Sequence, residues 1–185
     1  MNEWILLVYK LPATPSRLRA AAWRKLKGAG AIYLQDGVAA LPITPATERT
    51  LRGVAAEVRE AGGTAHLIQA KPLADAQALV TLFNAAREAE YHELHSRCQD
   101  FHTELSRERT RRNFTFAELE ENEDDLAKLE AWRVKIAARD HFGVPRGNDA
   151  DTALAACRED LDAFAQEVYA AADDGAAHDG QRTEG

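Results

Sequence analysis

Long apolar runs are missing from this chain: none approaches the roughly 18 residues of a membrane-spanning helix. The first ten residues lack the basic start of a secretion signal. The cytoplasm is therefore the expected compartment, and no membrane partner is expected. Cysteine is scarce. Cys98 and Cys157 are too few for a disulfide framework, and each falls on an apolar helical stripe, so both read as small buried hydrophobes. There is no Gly-x-Ser-x-Gly elbow. There is no glycine-rich phosphate loop either, because Gly28-Ala29-Gly30 follows a helical pattern rather than a strand. No catalytic residue and no cofactor is expected, and the chain reads as a non-enzyme.

What is present suits a medium-sized domain or a small domain with an appended bundle: 185 residues, 45% of them apolar, with much of that share alanine. The net charge of −7 conceals an asymmetry. Residues 1–72 hold ten Lys/Arg against five Asp/Glu, or +5, and residues 73–185 hold thirteen against twenty-five, or −12. A basic N-terminal module on an acidic chain keeps nucleic acid among the candidate partners.

The fold class is predicted as α+β, a ferredoxin-like βαββαβ module followed by an α-helical hairpin or three-helix bundle. Trp4–Lys10 is a near-continuous apolar run, as in a central strand. Ser16 is placed as N-cap of a helix to about Lys27, with Leu18, Ala22 and Leu26 as its buried stripe. Strands are expected at 31–34 and 38–41 around Asp36-Gly37, a hairpin signal. Thr44-Pro45 opens a second helix stopped by Gly62-Gly63, and Thr64–Ala70 is the fourth strand. The basic module is bounded at 1–73.

From residue 74 the apolar period becomes helical, and an antiparallel bundle is expected over 74–172. Its seams are Tyr91, Leu94, Cys98, Phe101 and Leu105; Leu119, Leu126, Leu129, Trp132 and Ile136; and Leu154, Cys157, Leu161, Phe164 and Val168. Residues 173–185 are Gly, Ala and polar, and read as a disordered tail.

His92, His95 and His102 form a polar strip beside the stripe that holds Cys98. His95 and His102 lie two helical turns apart, about 10 Å, too far for one ion. No metal site is predicted, and the histidines read as helix-boundary residues. The acidic run from Glu118 to Asp125 suits the start of a helix and lacks the pattern of a calcium loop. Trp4 and Trp23 read as core. The cations of the first helix, Arg17, Arg19, Arg24, Lys25 and Lys27, can reach phosphates from an exposed face and are the expected DNA-binding residues. The Arg107–Arg112 cluster is a second candidate, equally explicable as a solvated turn.

The string Trp4–Lys10, Trp23-Arg24-Lys25-Leu26-Lys27, Tyr33-Leu34-Gln35-Asp36-Gly37-Val38 and Leu41-Pro42 resembles the N-terminal domain of ChrB-type chromate-resistance regulators. The likeness continues through Glu57-Val58-Arg59, Gly62-Gly63 and Glu90-Tyr91. It implies a cytoplasmic regulator of chromate-efflux genes whose basic N-terminal residues touch DNA, which map onto the five cations of the first helix. Full-length members carry a further C-terminal domain linked to sensing the oxyanion. The expectation here is a short form without autonomous sensing, partnered by DNA, by a second copy of the chain, or by a separately encoded sensor. The module also resembles the ferredoxin-like domain of phenylacetate-degradation repressors and of small CRISPR-associated nucleases. Those nucleases place a metal-binding Asp at the end of strand one, where this chain has Val8-Tyr9-Lys10. A nuclease-like enzyme and a helical interaction protein are the alternatives.

Overall fold

The computed structural model describes the backbone of residues 3–182 and side chains through residue 174. The chain is α+β and its described residues divide into two compact units, the first comprising those up to Arg87 together with Arg139–Phe142, and the second Glu88–Ala138 and those from Gly143 onward.

The first unit runs β1 (Trp4–Lys10), α1 (Ser16–Gly28), β2 (Ile32–Gln35), β3 (Val38–Pro42), α2 (Pro45–Glu60), β4 (Thr64–Ala70) and the opening turns of α3 (Ala76–Arg111). The strands form one antiparallel sheet in the order β2-β3-β1-β4. The most apolar strand, β1, lies inside it, pairing Leu7 with Ala39 of β3 and with Leu67 of β4. Asp36-Gly37 makes the β2–β3 turn, with Gly37 at φ 75°. Its carbonyl accepts from Tyr9 N at 2.7 Å.

Local chemistry explains the helices. Thr44 caps α2 through a reciprocal capping box with Thr47, and Pro45 follows at the first helical position. Leu51, Val54, Ala55 and Val58 are its buried face, as expected from their spacing. In α1, Ala22 and Leu26 are buried. The predicted cap shifts by one residue: Pro15, in extended conformation, occupies the N-cap and Ser16 is the first helical residue, with no side-chain cap. Pro15 cannot donate a backbone hydrogen bond, so nothing is lost by placing it there. The core of this unit is closed by an aromatic triad. Trp4 meets Phe83 at 5.9 Å and Phe142 at 6.0 Å between centroids, and Phe83 meets Phe142 edge-on at 5.4 Å.

The second unit holds the remainder of α3, α4 (Phe116–Ala138) and α5 (Arg146–Arg182). All three contribute to a core of Cys98, Phe101, Leu105, Leu119, Leu126, Leu154, Cys157, Leu161, Phe164 and Val168. A smaller cluster joins Tyr91, Leu94, Ile136, Val144 and Ala150. The predicted seams are buried as read, apart from Leu129 and Trp132, which are half-buried.

Three boundaries differ from the sequence reading. The expected division at 73/74 falls instead inside α3, between Arg87 and Glu88, because Phe83 and Arg87 are buried in the first unit. The Arg107–Arg112 cluster, for which a solvated turn is one sequence reading, lies mostly in the last turns of α3, which reaches Arg111. The tail boundary at 173 is not an element boundary, since α5 continues to Arg182, and residues 183–185 lie outside the described residues. No proline interrupts residues 173–182, and their two glycines, Gly175 and Gly180, cost an established helix only about 1 kcal/mol each.

Candidate nucleic-acid interface

Helix α1 carries five cations on thirteen residues and no acidic residue in its first turn. The buried residues Ala22 and Leu26, with half-buried Leu18, turn one narrow stripe inward. At 100° per residue, Arg17 and Arg24 fall within 20° of each other on the side opposite that stripe, with Lys27 next to them. Lys25 and Arg19 stand on the two flanks. All five are exposed. Lys25 pairs with Glu57 of α2. Arg17, Arg19, Arg24 and Lys27 meet no carboxylate at ion-pair distance among the described residues.

The Arg19 flank borders a cleft of about 410 Å³ lined by Tyr9, Leu11, Arg19, Trp23, Tyr33 and Asp36. Trp23 is 51% exposed, which corrects its assignment to the core; Trp4 is fully buried as expected. The Tyr9 and Tyr33 hydroxyls share a hydrogen bond at 3.3 Å. Burial, reinforced by that bond and by Tyr9's proximity, pushes the Tyr33 phenol far above its ordinary value, so it stays neutral. The cleft is thus a concave aromatic surface with one guanidinium at its rim. Aromatic faces beside cations suit nucleic acid, the rings meeting bases or sugars and the cations meeting phosphates.

Three of the four arginines of the second cationic candidate are engaged elsewhere, Arg112 being the exception. Arg109 holds Asp160 at 2.7 Å and Glu167 at 3.0 Å, Arg107 pairs with Glu104, and Arg111 pairs with buried Glu108. A cleft of about 450 Å³ in the helical unit is lined by Asp100, Glu104, Glu118, Glu121 and Asp125 with only Arg97 and Lys128 of opposite sign, which is wrong for a polyanion. Among the described residues no three His, Cys, Asp or Glu side chains converge to hold a metal ion. His102 is not a bystander at a helix boundary: its Nδ1 lies 2.6 Å from Asp160 Oδ2. No sequence signal marked that pair, because Asp160 is on another helix.

Fold and surface together define an α+β protein with a four-stranded antiparallel sheet, five helices among the described residues, and a cation-bearing first helix. Residues 19–175 match the family described as Protein ChrB, N-terminal, and the chain belongs to that family. No curated protein matches the chain. Among solved structures it is similar to the uncharacterized protein Rv0674 from Mycobacterium tuberculosis, at 15% identity and a TM-score of 0.44 over 92% of this chain. It spans 63% of that chain's length. Among the described residues no helix is long and apolar enough to cross a membrane.

Proposed function

We propose that this is a cytoplasmic, non-enzymatic regulatory protein of chromate resistance that binds DNA through α1. In this reading the βαββαβ unit is a ferredoxin-like module that presents Arg17, Arg24 and Lys27 to a phosphate backbone, with Arg19 and Lys25 as flanking contacts. The family supports the chromate-resistance assignment. The observation that carries the DNA contact is four exposed cations on one short helix without carboxylate partners, in a chain of net charge −7. Their phosphate contacts release counterions, so binding should fall steeply with salt.

The test is fluorescence anisotropy with a duplex spanning the promoter of the chain's own operon, comparing wild type with Arg17→Ala/Arg24→Ala. Loss of affinity together with a shallower salt slope is expected. Equal affinity, or binding indifferent to salt, refutes the assignment.

A second reading, a helical interaction protein docking a separate sensor or a second copy, is favoured by one feature. Phe116 and Tyr169, exposed at 53% and 57%, stack edge-on at 5.4 Å on α4 and α5. Co-purification that is lost in Phe116→Ser/Tyr169→Ser, with DNA binding intact, would support it.

A further inference from the structure

Cys98 and Cys157 stand 59 positions apart in the chain, and both are free and buried. The bundle brings them together: Cys157 Sγ lies 3.8 Å from the Cys98 carbonyl oxygen. The same sulfur lies 3.6 Å from His102 Nε2. The other ring nitrogen, Nδ1, faces Asp160 Oδ2 at 2.6 Å. Asp160 is itself fixed, its second oxygen accepting from Arg109 Nη1 at 2.7 Å while Arg109 Nη2 donates to the Asp160 carbonyl at 3.0 Å. Arg109 Nε donates to Glu167 at 3.0 Å.

This chain of contacts has a direction. When Nδ1–H donates to the Asp160 carboxylate, the lone pair of a neutral ring lies on Nε2, the nitrogen that faces Cys157. Both cysteines belong to the apolar core of the bundle, yet a four-residue polar relay ends on the sulfur of one of them, beside the backbone of the other. Metal binding does not account for it, since among the described residues no three such groups converge on an ion position. Both thiols are buried, so an oxidant must enter past a neighbouring side chain, and His102, beside Cys157, is partly exposed. The His102 side chain is 37% exposed, and it borders a shallow cleft shared with Thr103, Ser106 and Arg107.

We propose that Cys98 and Cys157 are a reactive dithiol which a hydroperoxide converts into a disulfide tying α3 to α5, with His102 as the base for Cys157. Cys98 attacks the terminal peroxide oxygen, the O–O bond breaks, and the departing alkoxide takes the thiol proton, leaving a sulfenic acid and an alcohol (water, when the oxidant is hydrogen peroxide). Cys157 then gives its proton to His102 Nε2 and attacks the Cys98 sulfur. Hydroxide leaves, collects that proton from His102, and departs as water. Two thiols and one hydroperoxide become one disulfide, one alcohol and one water. The order of attack agrees with the ionisation of the pair. The hydrogen bond from Cys157 lowers the Cys98 thiol, and the same bond, together with burial, raises Cys157. Burial alone would raise Asp160, but His102 and Arg109 hold it below its ordinary value, so it remains a carboxylate.

The experiment uses the full reduced chain at neutral pH with equimolar hydrogen peroxide, read by intact mass without reductant and by thiol titration. The expected result is a monomer about 2 Da lighter with both thiols lost, restored by dithiothreitol. His102→Gln should slow disulfide formation about tenfold or more. Cys157→Ser should stop at a sulfenic acid on Cys98, trapped as its dimedone adduct. Should His102→Gln fail to fold by circular dichroism, Asp160→Asn, which keeps the ring, gives the same reading. Both thiols remaining titratable while free cysteine oxidises, a disulfide formed only between chains, or unchanged rates in the folded relay variant would each overturn the proposal.

Discussion

The Arg87 guanidinium donates from Nη1 to the carbonyl of Gly30 at 2.9 Å, 57 residues away in the chain, and lies 5.0 Å from the centre of the Phe83 ring. Gly30 sits at φ 82°, in the left-handed region, where a Cβ would fall 2.4 Å from that same Nη1 and 2.8 Å from Arg139 Cβ. Glycine is required there twice over, by the backbone angle and by the lack of room. Gly30→Ala should destabilise the first unit by about 3 kcal/mol, read as a fall in the urea midpoint with an unchanged slope.

The cations of α1 are not equivalent. Each of Arg17→Ala and Arg24→Ala should lower the salt slope of DNA binding by about one unit. Lys25→Ala should cost less, because Lys25 already holds Glu57 and an exposed pair of that kind is worth roughly 0–1 kcal/mol. Glu57→Gln should tighten binding by freeing Lys25. The measurement is a titration series over salt concentration; identical slopes for all four variants would place the interface elsewhere.

Trp4 and Trp23 should behave oppositely on truncation. Trp4 is fully buried against Phe83 and Phe142, so Trp4→Ala should cost about 3–5 kcal/mol. Trp23 is half-exposed, and Trp23→Ala should change stability by less than about 1 kcal/mol. Thermal unfolding of the two variants separates them directly.

His141, 5.8 Å from the Phe83 ring, titrates below its ordinary 6.5, chiefly through burial and secondarily through Arg87, with Asp140 partly opposing. The unfolded chain therefore takes up a proton that the folded chain resists. Stability is fully present above about pH 6.5 and declines as pH falls from there towards the folded value. His141→Gln should flatten that decline in urea midpoints measured between pH 7 and pH 5.

Much of the fold was legible because its signals are local. The Thr44-Pro45 start of α2, the Asp36-Gly37 turn and the span of β4 each depend on neighbours within a few residues, and each stands where expected. The misreadings share a cause. Trp23 is large and apolar, which favours burial on average, yet it lies just off the stripe of α1 and opens on a cleft. His102 looked idle because its partners, Cys157 and Asp160, are 55 and 58 positions away. The continuity of α5 past residue 172 was masked by a composition that resembles a tail but contains no helix breaker stronger than glycine.

The chain leaves the first unit at Arg87, builds α4, and returns for the four residues Arg139–Phe142 before departing again. That brief return delivers Phe142 to Trp4 and Phe83. The βαββαβ segment is therefore stitched shut by residues encoded far downstream, and cannot be excised at its own last strand. A fragment ending at residue 73 would lack both Phe83 and Phe142, leaving Trp4 open to water. It should bind the dye ANS and melt without a sharp transition, whereas the full chain should do neither.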